Sequence, residues 1–163
     1  MTGTSIDALD VALVIITGKG MEMRGGLAAI HSEPLGDLAP LLRRIASNEK
    51  LTATEMAEAS WALGELHAEA ITTALSGRSP DLICVHGQTV MHSPPSSAVS
   101  KGDATNTRAR GRTWQLLQPA PIAARLNCTV VYDLRAMDVA LGGQGAPITP
   151  IADWILCRSN DRT

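Results

Sequence analysis

Three features of this sequence predict an α/β domain with a mixed sheet. Leu9–Ile16, Leu82–Val85 and Cys128–Tyr132 are short apolar runs with the length and β-branched content of strands. Thr52–Gly77 carries the period of one long amphipathic helix. The two kinds of segment alternate along the chain, which is the pattern of helices packed on a sheet.

Leu9–Ile16 closes in Thr17-Gly18-Lys19-Gly20, a turn, and a second strand is expected across Met23–Ile30. Leu35, Leu38, Leu41, Leu42 and Ile45 recur at helical spacing, so Leu35–Ile45 is read as a short helix. Thr52-Ala53-Thr54-Glu55 has capping-box form, in which the Thr hydroxyl accepts from the N3 amide and Glu55 reaches back to the cap. Met56, Ala59, Leu63, Leu66, Ala70, Ile71 and Ala74 then form one apolar stripe, stopped by Gly77. His67 lies beside the stripe and is read as a boundary residue.

Leu82–Val85 is expected to be a strand running into His86-Gly87-Gln88-Thr89. Ser93–Arg112 is polar, rich in Ser, Gly, Pro and Arg and without periodicity, and reads as a disordered surface insertion, residues 93–112. Trp114–Leu117 resumes a strand, Pro119–Leu126 fits a helix entered through proline, and Cys128–Tyr132 is a buried strand. Ile148–Cys157 reads as a closing helix.

The chain has 163 residues, 45% hydrophobic content and a formal net charge of −2, the size and balance of a single soluble domain. Lys and Arg are scattered, apart from Arg108, Arg110 and Arg112, so no nucleic-acid partner is expected. No apolar run approaches the roughly 20 residues that cross a bilayer, and the N-terminus lacks a basic-then-apolar leader, so a cytoplasmic protein without a membrane partner is expected. A homodimer is left open. Cys84, Cys128 and Cys157 are far apart in apolar surroundings and are read as buried free thiols.

Two segments concentrate chemistry. Tyr132–Pro150 ends a strand in a charged, glycine-rich turn, and ligands bind at the carboxyl ends of α/β sheet strands. Asp133, Arg135, Asp138 and Gln144 are expected to face one cleft there, with Gly142, Gly143 and Gly145 allowing close backbone approach. A strand-to-helix turn with a salt-bridged Asp and Arg is the alternative. The first ten residues combine Gly3, the hydroxyls of Thr4 and Ser5 and the carboxylates of Asp7 and Asp10 just before a strand, groups that suit phosphoryl oxygens and Mg²⁺; taken alone, they read more readily as a disordered start with capping-type residues.

Taken together, Gly3-Thr4-Ser5-Ile6-Asp7-Ala8-Leu9-Asp10, His86-Gly87-Gln88-Thr89, and Asp133-Leu134-Arg135-Ala136-Met137-Asp138 with Gly142-Gly143-Gln144-Gly145-Ala146-Pro147 resemble, in that order, the anhydro-N-acetylmuramic acid kinase family. The resemblance covers nearly the whole chain outside the Ser93–Arg112 segment. It implies an actin-like (ribonuclease H-like) ATPase fold in which two α/β domains close over ATP, this chain being a partial N-terminal domain with an incomplete lobe. It implies ATP and Mg²⁺ as cofactors and an amino sugar as substrate, phosphorylated with hydrolytic opening of 1,6-anhydro-N-acetylmuramic acid to N-acetylmuramic acid 6-phosphate in peptidoglycan recycling.

On the same resemblance, Gly3, Thr4, Ser5, Ile6, Asp7, Ala8, Leu9 and Asp10 form the phosphate turn, with Asp7 near the metal. His86, Gly87, Gln88, Thr89, Asp133, Arg135, Asp138 and Gln144 line the sugar side. The family has a strand before the phosphate turn and a glycine where Ala8 stands, and Leu116-Leu117-Gln118-Pro119 lacks the family's Gly-Asp pair. Its general base belongs to an Asp-Thr-Gly-Pro-Gly-Asn motif that this chain does not contain, so no catalytic residue is assigned and the chain is expected to be an inactive fragment. A non-catalytic sugar-binding module and a nucleotide-binding regulatory domain are the competing expectations.

Overall fold

A computed structural model describes residues 6–95 and 111–157. The mixed α/β class is as expected, but among the described residues the strands form three separate two-stranded ladders rather than one mixed sheet. β1 (Ala8–Thr17) pairs antiparallel with β2 (Arg24–Pro34), from Ala8 opposite Pro34 to Thr17 opposite Arg24, with one register shift at Leu13/Val14. The turn between them needs Gly18, whose φ is +82° and whose Cβ, if present, would sit 2.6 Å from the Glu22 carbonyl oxygen.

α1 (Leu38–Ala46) starts three residues later than its apolar spacing suggests, because Leu35 precedes the helix and is buried. α2 (Ala53–Leu75) begins at the expected capping box. The Glu55 amide donates to Thr52 Oγ1 over 3.2 Å, and the Thr52 amide donates to the Glu55 carboxylate over 2.7 Å. Its far end closes on Ser76 in the left-handed region, followed by Gly77 at φ +85°.

β3 (Ile83–Cys84) and β6 (Val130–Val131) form a short parallel ladder, extended by the bonds from the Ile83 amide to Thr129 O and from the Val85 amide to Val131 O. β4 (Gln88–Ser93) and β5 (Arg112–Leu116) pair antiparallel with Ser93 opposite Arg112. Both ends of the expected 93–112 insertion are therefore paired strand, and its middle, residues 96–110, lies outside the described residues. α3 (Ala120–Leu126) follows Pro119. The stretch expected to be turn contains α4 (Leu134–Ala140), and α5 (Pro150–Cys157) closes the described chain.

Two apolar clusters hold these elements, and α2 serves both. Ile6, Leu9, Leu35, Leu42 and Ile45 meet Ala59 and Leu63 in one cluster; Ala68, Ile71 and Leu75 meet Ile83, Val85 and Ile122 in the other. Leu9, Leu42, Leu63, Leu116 and Ile122 are fully buried. Gly64 sits mid-helix where a Cβ would overlap the Gln118 carbonyl oxygen and press on Pro121, so the missing side chain lets α3 approach α2 closely.

Two expectations about polar groups are corrected. His67 is a core residue, 1% exposed, rather than a boundary one: its Nδ1–H donates to the Leu63 carbonyl over 2.7 Å, which allows the ring to be buried neutral. Burial depresses its pKa to about 4. Cys84 and Cys128 are free thiols as expected, yet Cys84 is exposed because one side of β3 is uncovered, and Cys128 is half-buried, its thiol donating to Pro80 O. The Cys157 side chain is not among those described.

Candidate functional site

The described geometry centres on α4 and the glycines after it. Asp133 leaves β6 in the left-handed region, φ +59°, and its carbonyl accepts the Met137 amide in the first turn of α4. Leu134, Met137 and Leu141 recur at helical spacing, a signal that the glycines beyond them obscured in the sequence. On α4, Arg135 and Asp138 stand three positions apart and so share a face.

The helix ends in two glycines for a physical reason. Gly142 at φ +93° donates to Val139 O, and Gly143 donates to Asp138 O over 2.8 Å, the paired bonds of a Schellman stop. A Cβ at Gly143 would overlap the Asp138 carboxylate. That turn brings Gly145 back over the helix, where its amide donates to Asp138 Oδ2 over 2.7 Å and its carbonyl accepts Arg135 Nη1 over 2.9 Å. Gly145 is itself buried, and a Cβ there would come within 3.0 Å of the His92 ring.

Arg135 also reaches the loop after β3. Its Nε donates to His86 Nε2 over 2.9 Å, and His86 Nδ1–H donates to Gly87 O over 2.8 Å. Burial first, and then the adjacent guanidinium, hold His86 below its ordinary 6.5, while the Gly87 bond and the Asp133 charge oppose the shift. The ring is thus neutral at physiological pH, oriented from both sides, and set beside a permanent cation. Both ring nitrogens are engaged in these bonds, so His86 serves here to orient Arg135.

The structure brings together His86, Arg135, Asp138 and Gly145. Gly87 is buried under Leu116, whose carbonyl oxygen would lie 2.5 Å from an added Cβ, so it positions the loop rather than offering a side chain. Gln88 is 2% exposed and turned inside, its Nε2 donating to Thr89 O; Thr89 is half-buried in β4 opposite Gln115. Asp133 and Gln144 are exposed and contribute no bond to the network among the described residues. His92, not singled out in the sequence, packs against Gly145 and bonds Thr113 Oγ1 through Nδ1.

Of the first motif, Gly3, Thr4 and Ser5 lie outside the described residues. Ile6 is buried with φ +51°, and Arg43 donates to its carbonyl over 2.9 Å. The left-handed position therefore falls on Ile6 and not on Ala8, where the family's glycine had suggested it; Ala8 opens β1. Asp7 is exposed, with Oδ1 accepting the Ala8 amide over 2.9 Å; Leu9 is core, and Asp10 accepts Ser32 Oγ over 2.8 Å. No group of three or more His, Cys, Asp or Glu side chains that could hold a metal occurs among the described residues. A nucleotide-bound Mg²⁺ requires only one or two protein carboxylates, so the exposed Asp7 fits that role alone. No helix of the described residues is long and apolar enough to cross a membrane.

On a mixed α/β chain, Arg135, His86, Asp138 and the Gly145 turn thus form one hydrogen-bonded network. The profile of the family described as anhydro-N-acetylmuramic acid kinase matches residues 1–163. The chain belongs to that family. Curated relatives named anhydro-N-acetylmuramic acid kinase include one from Synechococcus sp. (strain WH7803), 39% identical over 159 residues, covering 96% of this chain and 40% of the relative. One from Prochlorococcus marinus (strain MIT 9313) is 36% identical over 157 residues, with 96% and 39% covered. One from Bacillus cereus (strain AH820) is 35% identical over 164 residues, with 97% and 41% covered. The chain thus spans about two-fifths of the length of these relatives.

Proposed function

We propose that this chain forms part of one lobe of an ATP-dependent sugar kinase with an actin-like (ribonuclease H-like) fold, acting on 1,6-anhydro-N-acetylmuramic acid. The observation that carries this reading is the family match across residues 1–163, which takes in all three motifs in order. In this reading Gly3–Asp10 is the phosphate turn and Asp7 the carboxylate nearest Mg²⁺. Bound there, Mg²⁺ neutralises phosphate charge during transfer.

His86 and the Asp133–Gln144 segment then face the sugar. Arg135 uses two of its five N–H donors in the described bonds to His86 and Gly145, and a guanidinium matches the carboxylate that a muramic acid carries. Asp138 acts on the sugar side by holding the Gly145 turn against Arg135, as an orienting group rather than as a base. Ring opening needs a base to activate water, and a positioned base contributes typically about 10²–10⁴-fold in rate. The family's Asp-Thr-Gly-Pro-Gly-Asn motif does not occur in these 163 residues, so the chain on its own is inactive in this proposal.

Incubating the purified 163-residue chain with Mg-ATP and the anhydro sugar tests this, with mass spectrometry for N-acetylmuramic acid 6-phosphate. No product is expected, and calorimetry should show sugar binding that Arg135→Ala weakens. Turnover above background would overturn the assignment of the base to sequence outside this chain. Sugar binding unaffected by Arg135→Ala would remove this wall from the sugar site.

A further inference from the structure

Two consecutive carbonyls of the first motif are held from other parts of the fold. Ile6 O accepts Arg43 Nη2–H over 2.9 Å from the last turn of α1, and Asp7 O accepts the Leu35 amide over 3.1 Å from the residue after β2. These carbonyls belong to the peptide planes on either side of Asp7 Cα. Fixing both planes fixes φ and ψ of Asp7, and with them the direction in which its side chain leaves the backbone. Asp7 Oδ1 in turn accepts the Ala8 amide over 2.9 Å.

The Arg43 bond falls where the backbone needs it. Ile6 is β-branched at φ +51°, a conformation that such residues rarely adopt and that persists only where the surroundings enforce it. Its side chain is 5% exposed and packs with Leu35, Leu42 and Ile45. Burial holds that side chain, whereas Arg43 holds the peptide plane that follows it. The two adjacent arginines of α1 are used differently. Arg44 pairs with Glu49 and Glu55, while Arg43, which has no ion pair among the described residues, is directed to a backbone carbonyl 37 positions away.

We propose that Arg43 is a positioning residue for the metal carboxylate: by fixing the Ile6–Asp7 peptide it holds Asp7 in the orientation that takes a nucleotide-bound Mg²⁺. The inference rests on the reading of Gly3–Asp10 as the phosphate turn. Arg43 acts through Asp7 and touches neither phosphate nor metal. Holding the carboxylate in advance lowers the ordering cost of binding. Without Arg43 the peptide relaxes from the left-handed conformation at Ile6, and the carboxylate turns with it.

Titration calorimetry of the 163-residue chain with ATP, with and without Mg²⁺, tests this. Mg²⁺ should strengthen ATP binding to the unaltered chain. Arg43→Met keeps the side-chain stem and removes the donors. It should weaken Mg-ATP binding about tenfold, the scale of one hydrogen bond from a charged donor, and leave metal-free ATP binding unchanged. Arg43→Lys, which restores a charged donor, should recover most of the loss, and in an Asp7→Asn background Arg43→Met should produce no further loss. The Asp7 carboxylate carbon resonance should shift in Arg43→Met without any ligand and return toward its original place in Arg43→Lys. Equal loss with and without Mg²⁺ would put Arg43 on the phosphates themselves and overturn the proposal, as would an Asp7 resonance that does not move. Mg-ATP binding that Arg43→Met leaves intact would overturn it while the phosphate-turn reading stands. If Mg²⁺ does not strengthen ATP binding to the unaltered chain, that reading falls and the proposal with it.

Discussion

Arg135 Nε donates to His86 Nε2 across 2.9 Å, and that bond leaves His86 only one place for its proton, on Nδ1 facing Gly87 O. A second proton on the ring would set a cation against the guanidinium. His86 is therefore held below 6.5, by burial first and by Arg135 in addition. In the window just below 6.5 the unfolded chain binds a proton that the folded chain refuses, so this group's contribution to stability is complete above 6.5 and is lost as pH falls through the folded value. An NMR titration of the His86 ring should show its midpoint moving upward in Arg135→Gln. A midpoint that stays in place would mean that burial alone sets it.

The adjacent glycines 142 and 143 should respond differently to alanine. Gly142→Ala meets open space and suffers only the strain of φ +93°, about 1–2 kcal/mol. Gly143→Ala drives a methyl into the Asp138 carboxylate, which must swing away and release the Gly145 amide, at about 1–3 kcal/mol. Urea unfolding gives both costs. The sharper observable is the Gly145 amide resonance, which should shift strongly in Gly143→Ala and little in Gly142→Ala.

His67 makes the core sensitive to acid. Its pKa falls from 6.5 to about 4 on folding because the ring is desolvated, so stability is full above 6.5 and declines as pH falls from there toward 4. The loss is on the order of 3 kcal/mol at 1.36 kcal/mol per unit. His67→Leu should flatten most of the difference between unfolding free energies measured at pH 7 and pH 4.5. An unchanged pH dependence would show that other groups dominate.

Gly64→Ala should destabilise the fold by about 1–3 kcal/mol, although alanine is the better helix former by about 1 kcal/mol. The added methyl overlaps the Gln118 carbonyl oxygen and forces α3 away from α2. A rise in the thermal midpoint would contradict this close approach.

Much of the fold was legible from local chemistry. The Thr52–Glu55 box and the Gly77 stop framed α2 within a residue, since both act through bonds to neighbouring backbone. The β1–β2 hairpin likewise followed from a β-branched run and its glycine turn. The parts that were not legible depend on distant partners. Nothing near His67 reveals that α2 buries both of its flanks, and nothing within 93–112 reveals that its two ends pair with each other. α4 was hidden because Gly142, Gly143 and Gly145 drew the reading toward a loop, although they act as the helix stop and the return. His86, Arg135 and Asp138 were singled out in the sequence, whereas the bonds that join them, with Arg135 between His86 and Gly145, required the fold.

α2 contributes Ala59 and Leu63 to one apolar cluster and Ala68, Ile71 and Leu75 to the other, on a single uninterrupted helix. Neither cluster can dissolve without exposing that shared rod, so loss of order at one end is transmitted to the other. The described chain should therefore unfold as one cooperative unit, with Trp61 on α2 and Trp114 on β5 reporting the same transition despite belonging to different elements.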